Sequence, residues 1–201
     1  VPRRKKAKLS VELVPSTCWY SNVRTTLPQK EWDRLRKESY EKADYKCEIC
    51  GQTGLEQGYK HRLECHEIWH YDDSMKIQKL MGLISLCPRC HQTKHFGRSS
   101  AIGLQDAVLT HMEQVNGWDH KESVTYIAEC FQKHAERSKS EWKLDISVLS
   151  DKHGVEKKLI TEAQKERSKK KKVIKPKYMK SKKKYTRKKK KSSTNRKRRK
   201  S

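Results

Sequence analysis

The stretch GLISLCPRCHQTKH, Gly82 to His95, runs from strand-favouring apolar residues into a CxxC turn and then to two histidines four residues apart. A CxxC turn lets two thiolates grip one ion, and a second such turn completes the tetrahedral four-cysteine site that zinc takes. That second turn is Cys47-x2-Cys50 in YKCEICG, with 36 residues separating it from Cys87-x2-Cys90. Cys47, Cys50, Cys87 and Cys90 are therefore expected to hold a structural zinc. Gly51 follows the first knuckle and Pro88 lies inside the second. The spacing exceeds that of a minimal zinc ribbon by enough for a hairpin. RLECHEIWHY and KIQKLMGLISL favour strands, and DDSM between them can turn the chain, which predicts an antiparallel pair. A redox role is not expected, since neither CxxC reads as the strand-to-helix setting of thioredoxin type. Cys18 and Cys130 read as core cysteines.

His91 and His95 stand at i and i+4. A helix after Cys90 would project both imidazoles from one face, where they can hold a single divalent ion. His66 lies on the preceding strand, and packing the hairpin over the helix would bring it to that ion. A neutral imidazole beside a metal and a phosphodiester suits general-base work on water. The ion would stabilise charge on the scissile phosphate and the leaving oxygen. His70 reads as surface or hairpin packing, and Trp69 as a packing residue.

With these residues in place, the chain from about Tyr45 to Gly97 resembles the HNH endonucleases. The likeness is to their four-cysteine zinc variety, with its ββα-metal, treble-clef-like core. It rests on the CxxC, the histidine on a hairpin strand, and GLISLCPRCHQTKH, roughly a quarter of the chain. The resemblance implies His66 as general base and His91 and His95 as ligands of a second, catalytic metal (Mg, Mn, Ni or Zn). It implies nucleic acid as partner, with DNA the expected substrate. Two positions depart from the family pattern. Its middle Asn falls on Gly82, which has no side chain to orient the base. The residue before the base, usually an Asp or His ligand, is Cys65, whose thiolate suits softer ions than magnesium. Cys65 stands as the candidate third ligand, with Glu64, Glu67, Asp72, Asp73 and Gln78 as the polar alternatives nearby. Arg89, Lys94 and Arg98, on or near the helix, are candidate phosphate contacts.

Charge separates the ends of the chain from its body. The 201 residues carry +25 in all. Residues 165–201 hold 22 Lys/Arg against Glu166 alone, a net of +21. The opening VPRRKKAK adds +5, which leaves Leu9 to Gln164 at −1. Both ends are too poor in apolar residues to offset the entropy of folding and are expected to be disordered. Such runs suit a polyanion, nucleic acid first among them; RKRRK also suits nuclear import. No apolar run approaches the roughly 18 residues of a membrane span, and no signal-peptide core is present. An odd count of seven cysteines with tandem CxxC pairs argues against a secreted disulfide scaffold. The expected location is intracellular: nuclear in a eukaryote, cytoplasm or nucleoid in a bacterium or phage. No small-molecule cofactor is expected.

The expected architecture is small and α+β: the ββα-metal core flanked by helices, with disordered basic tails. Residues 1–8 form the basic leader and 9–44 an N-terminal loop and helix. In the loop, a short strand with aromatic anchors is the alternative. In the helix, Trp32, Leu35, Tyr40 and Ala43 share a face. Residues 45–97 form the core, with Gly97 as a stop signal for its helix. Residues 98–149 supply helices and a short strand packing on the core. There Gly117 closes one helix, and Asp119 and Glu122 form a capping box on the next. Val124, Ile127, Ala128 and Phe131 are that helix's expected buried stripe. Trp142, Leu144, Ile146 and Val148 alternate as a strand. Residues 150–164 are a linker or polar helix, and 165–201 the tail.

Two function classes follow. One is an endonuclease that depends on a metal and on His66. The other is a non-catalytic, zinc-stabilised nucleic-acid-binding protein on a degenerate HNH scaffold, which Gly82 and Cys65 favour. A third, weaker class is a subunit that docks on a large RNA assembly through its tails. Substituting His66→Ala separates the first two, since only the first loses cleavage while keeping binding.

Overall fold

In a computed structural model, which describes residues 5–19 and 22–165, β1 (Glu64–Asp72) and β2 (Ile77–Leu86) pair antiparallel. The register runs from Glu64 opposite Leu86 to Asp72 opposite Ile77. Asp72 Oδ1 accepts the Ser74 and Met75 backbone N–H groups, at 2.9 and 2.8 Å, and so fixes the turn. A register shift between Ile68 and Trp69 leaves Met81 as the extra residue of a β-bulge. β3 (Lys143–Asp145) adds parallel to β2, giving a small α+β fold around a sheet of order β1-β2-β3.

Successive residues on a strand point to opposite faces, and here the two faces meet different helices. Cys65 and Glu67, with their partners Ser85 and Leu83, look toward α1 (Val23–Thr26) and α2 (Gln29–Lys42). Ser85 and Ser39 of α2 share a buried hydroxyl bond of 2.8 Å. Trp32 and Leu35 of α2 join Leu80, Ile146 and Leu149 in the main core. Tyr40 and Ala43, expected on the same face, are half-buried. His66 and its partner Ile84 look the other way, toward α3 (Pro88–Lys94). The second CxxC does lie between a strand and a helix, contrary to expectation, because Cys87 follows β2 directly and caps α3.

α3 stops at Lys94 and α4 (Phe96–Ala101) begins after His95, so Gly97 lies within a helix instead of ending one. The break has a visible cause. The Lys94 carbonyl accepts the Glu12 N–H at 2.8 Å, and so serves a neighbouring segment. Gly97 is there for space, since a Cβ would come within 3.2 Å of Leu13 Cδ2.

α5 (Gln105–Asn116) closes on Gly117 at φ 63°, and α6 (His120–Arg137) opens on the Asp119–Glu122 capping box. The buried side of α6 differs from the expected stripe. Val124, Ala128 and Phe131 are exposed, while Ser123, Tyr126, Ile127 and Cys130 turn inward. The helix is turned by about one residue, roughly 100°. Tyr126 sets that rotation: its hydroxyl accepts the Val11 N–H at 3.2 Å. Trp142, Leu144 and Ile146 face inward, but the strand ends at Asp145 and Val148 opens α7 (Val148–His153). Residues 150–164 are largely helical with a polar outer face, as one expected form had it, but they also contribute to the core. They place Val155, Ile160 and Ala163 in the main core, the last two from a helical run over 157–165.

Residues 5–8 of the expected loose leader are held in place. Trp118 Nε1 donates to the Lys5 carbonyl at 3.1 Å, and Asn116 Oδ1 accepts the Lys8 N–H at 2.9 Å. From there an extended strap runs to Pro15, burying Leu9 beside the cysteines and Val11 beside Phe96 and Met112. Its anchors are thus aliphatic, while Trp19 is exposed. The rest of the leader and residues 166–201 of the expected tail lie outside the described residues. No helix among the described residues is long and apolar enough to cross a membrane.

Candidate metal centres

Cys47, Cys50, Cys87 and Cys90 bring their sulfurs within 4.8 Å of one another. Tetrahedral zinc with 2.3 Å bonds needs sulfurs about 3.8 Å apart, and Cys50 and Cys87 already stand at 3.5 Å. The first knuckle docks on β2 through Glu48, whose N–H donates to Ser85 O at 3.0 Å. Its carboxylate accepts the Ser85 N–H at 2.6 Å. Contact among the thiols pulls Cys47 down to about 6 and Cys87 lower still, and pushes Cys50 and Cys90 up. Four thiolates cannot ionise together in so small a space without a cation. The cluster could hold a metal ion such as zinc. Gln57 Nε2 donates to Cys87 Sγ at 3.2 Å, and His111 Nε2 lies 3.2 Å from Cys90 Sγ; neither was picked out from sequence.

On the other face of the second knuckle, His66, His91 and His95 also bring one nitrogen each within 4.8 Å of one another. The ring centroids are 5.3 Å apart for His66 and His91, 4.9 Å for His66 and His95, and 4.6 Å for His91 and His95. The i,i+4 pair comes from α3 and its C-cap, the third ring from β1. Burial holds His66 below the usual imidazole range and pushes His95 down to about 3. Both are neutral at pH 7, as metal ligation or base catalysis requires.

Two carboxylates back this cluster. Glu64 bonds His91 Nδ1 with one oxygen and His61 Nε2 with the other, the latter at 2.9 Å. Glu12 Oε2 lies 3.0 Å from His66 Nε2, and its Oε1 accepts from Lys94 Nζ at 2.6 Å. Carboxylates that hold the far nitrogen of a histidine are the usual outer partners of metal-binding imidazoles.

Cys65 is not part of the cluster. It faces α2, where burial pushes its thiol up to about 12, so it stays protonated. Of the polar alternatives only Glu64 reaches the histidines. Glu67 faces α1, Asp72 is used in the turn, and Asp73 pairs with Arg137 at 2.7 Å. Gln78 is buried next to Tyr71. Lys94 is not a phosphate contact: it is buried and turned to Glu12 and Ser10. Arg89 is half-buried over the Tyr59 ring at 5.8 Å, and Arg98 is exposed. His70 is exposed and Trp69 packs on the main core.

Sequence reasoning missed Glu12. Its signal was slight: one acid in Leu9–Pro28, at a polar position of the alternation Leu9, Val11, Leu13. No family model, no curated protein and no solved structure matches the chain.

Proposed function

We propose that the protein is a metal-dependent endonuclease of the HNH type that hydrolyses nucleic-acid phosphodiester bonds, those of DNA foremost. The observation that carries this reading is the meeting of His66, His91 and His95 within 4.8 Å, with Glu12 and Glu64 behind two of the rings. A divalent ion held by His91 and His95 would supply charge stabilisation at the scissile phosphate and the leaving oxygen. Imidazole ligands favour Ni or Zn over Mg. His66 is the base. It is neutral, its Nε2 faces Glu12, and its Nδ1 keeps the lone pair that takes a proton from the attacking water. Arg98, one turn beyond His95, is the exposed cation left on this helix pair for a phosphate. The basic ends supply attraction that does not depend on sequence.

The same distances favour a second role for His66, as third nitrogen ligand, because Cys65 points away from the cluster. The competing class, a non-catalytic nucleic-acid-binding protein, is favoured by Gly82, which offers His66 no side chain. Relaxation of supercoiled plasmid across Mg, Mn, Ni and Zn, with metal content measured beside it, separates the three. In His66→Ala, lost cleavage with the second metal retained makes His66 the base. Loss of both makes it a ligand. No cleavage by the wild type with any ion, yet tight and salt-sensitive binding, leaves a binding protein.

A further inference from the structure

We propose that Glu12, delivered by the N-terminal strap, is a positioning residue that fixes the tautomer of His66, and that Lys94 locks its carboxylate in place. The inference rests on reading His66 as a working residue of the site, as base or as ligand, since both need the lone pair on Nδ1.

The geometry forms a chain of three side chains. Lys94 Nζ donates to Ser10 Oγ at 2.8 Å and to Glu12 Oε1 at 2.6 Å, and Glu12 Oε2 meets His66 Nε2 at 3.0 Å. Lys94 is 6% exposed and His66 5%. A buried ammonium needs a counter-charge, and Glu12 provides it. The ion pair with the Lys94 ammonium, Nζ to Oε1 at 2.6 Å, keeps the Glu12 carboxylate ionised. An ionised carboxylate can only accept. His66 Nε2 must therefore carry the ring proton, and the neutral ring keeps its lone pair on Nδ1.

The backbone makes the arrangement rigid. Glu12 N–H donates to the Lys94 carbonyl at 2.8 Å, so the two residues are tied by main chain as well as side chain. The strap is pinned twice just ahead of Glu12: Leu9 N–H donates to Asn116 Oδ1 at 2.9 Å, and Val11 N–H to the Tyr126 hydroxyl at 3.2 Å. The carboxylate is placed before any substrate arrives, which is what a tautomer-setting group requires.

Substituting Glu12→Gln tests this sharply. An amide offers one acceptor and two donors. The Lys94 ammonium, a donor only, takes the Gln oxygen, and the Gln NH2 then faces His66 Nε2. That nitrogen must accept, so the proton moves to Nδ1 and the site loses its lone pair. Adding Lys94→Met frees the amide to turn its oxygen to His66, which restores the Nε2 proton.

The readout is the long-range 1H–15N correlation spectrum of the full chain labelled at histidine, with zinc content and melting temperature as checks of folding. The expected pattern is Nε2–H in the wild type, Nδ1–H in Glu12→Gln and Nε2–H again in the double variant. Plasmid relaxation falls about 10²–10⁴-fold in Glu12→Gln and recovers in part in the double variant. An Nδ1–H tautomer in the wild type overturns the inference, whether or not any variant folds. So does an unmoved proton in a folded Glu12→Gln. The expected tautomer pattern without cleavage by any of the proteins upholds Glu12's role and removes the nuclease reading.

Discussion

Asn116 grips Leu9 with both ends of its amide: Oδ1 accepts the Leu9 N–H at 2.9 Å and Nδ2 donates to the Leu9 carbonyl at 3.0 Å. The two are 107 residues apart in sequence, and the grip is what lays the strap across the knuckle. Removing it leaves buried backbone groups without partners, which costs about 1–3 kcal/mol. Asn116→Ala is expected to lose that much in urea unfolding, with faster amide exchange at Leu9 and Val11. Unchanged exchange at both positions would mean the strap is held by its apolar contacts alone.

The hairpin, both knuckles and the histidine pair were legible because each obeys a short-range rule: strand composition, CxxC chelation, i,i+4 spacing. Glu12 was not, because its partners His66 and Lys94 lie 54 and 82 residues away and no local pattern joins them. The α6 face failed for a related reason. Val124, Ala128 and Phe131 fit a helical stripe as well as Tyr126 and Cys130 do, and the Tyr126–Val11 bond decides between them. Residues 150–164 looked polar because lysines and glutamates fill the gaps between Val155, Leu159, Ile160 and Ala163. Spacing of that kind is weak evidence until a core exists for it to join.

The four-thiol cluster predicts the metal content. Purified protein should carry one zinc on the cysteines, and Cys87→Ser should lose it together with much of the unfolding cooperativity, since metal binding there is folding free energy. Cys65→Ser should keep it, because Cys65 lies on the α2 side of the sheet. Zinc lost from Cys65→Ser would place that thiol in a metal site after all.

Glu67 predicts a pH dependence of stability. Its carboxylate accepts from Val23 N–H at 2.5 Å and Trp69 Nε1 at 3.1 Å, yet burial raises its pKa to about 7. The folded state therefore holds this proton more tightly than the unfolded chain, where the value is 4.5. The stabilisation is complete below pH 4.5 and is lost as pH rises through about 7, a fall of ~3 kcal/mol. Urea unfolding between pH 4.5 and 8 should show that decline, and Glu67→Gln should flatten it. The same slope in the variant would assign the dependence to other groups.

Gly82 pairs with Ile68 on the His66 side of the hairpin, diagonal to His66, and a Cβ there meets nothing within 4 Å. Gly82→Asn should therefore fold with stability within about 1 kcal/mol of the wild type, gaining where glycine weakens a strand. Under the proposed nuclease function it should also relax plasmid faster, since it supplies the polar side chain that the hairpin lacks beside the base. A loss of several kcal/mol would show that the position is closed.

The charge map makes the last prediction. Deleting residues 165–201 removes 22 Lys/Arg from a chain whose remaining body, Leu9 to Gln164, is near neutral at −1. Each phosphate contact by such residues releases about 0.9 counterion on duplex DNA, so the slope of log affinity against log salt counts them. The deletion should cut that slope by several units and weaken all sequences alike, because contacts of this kind read no bases. Zinc content and the His66 tautomer should not change, because among the described residues the partners that hold the cysteines and the strap all lie before residue 165. A slope that survives the deletion would move the main contact to the folded body or the basic leader. With the body near neutral, Arg98 on α4 would be the first residue to neutralise.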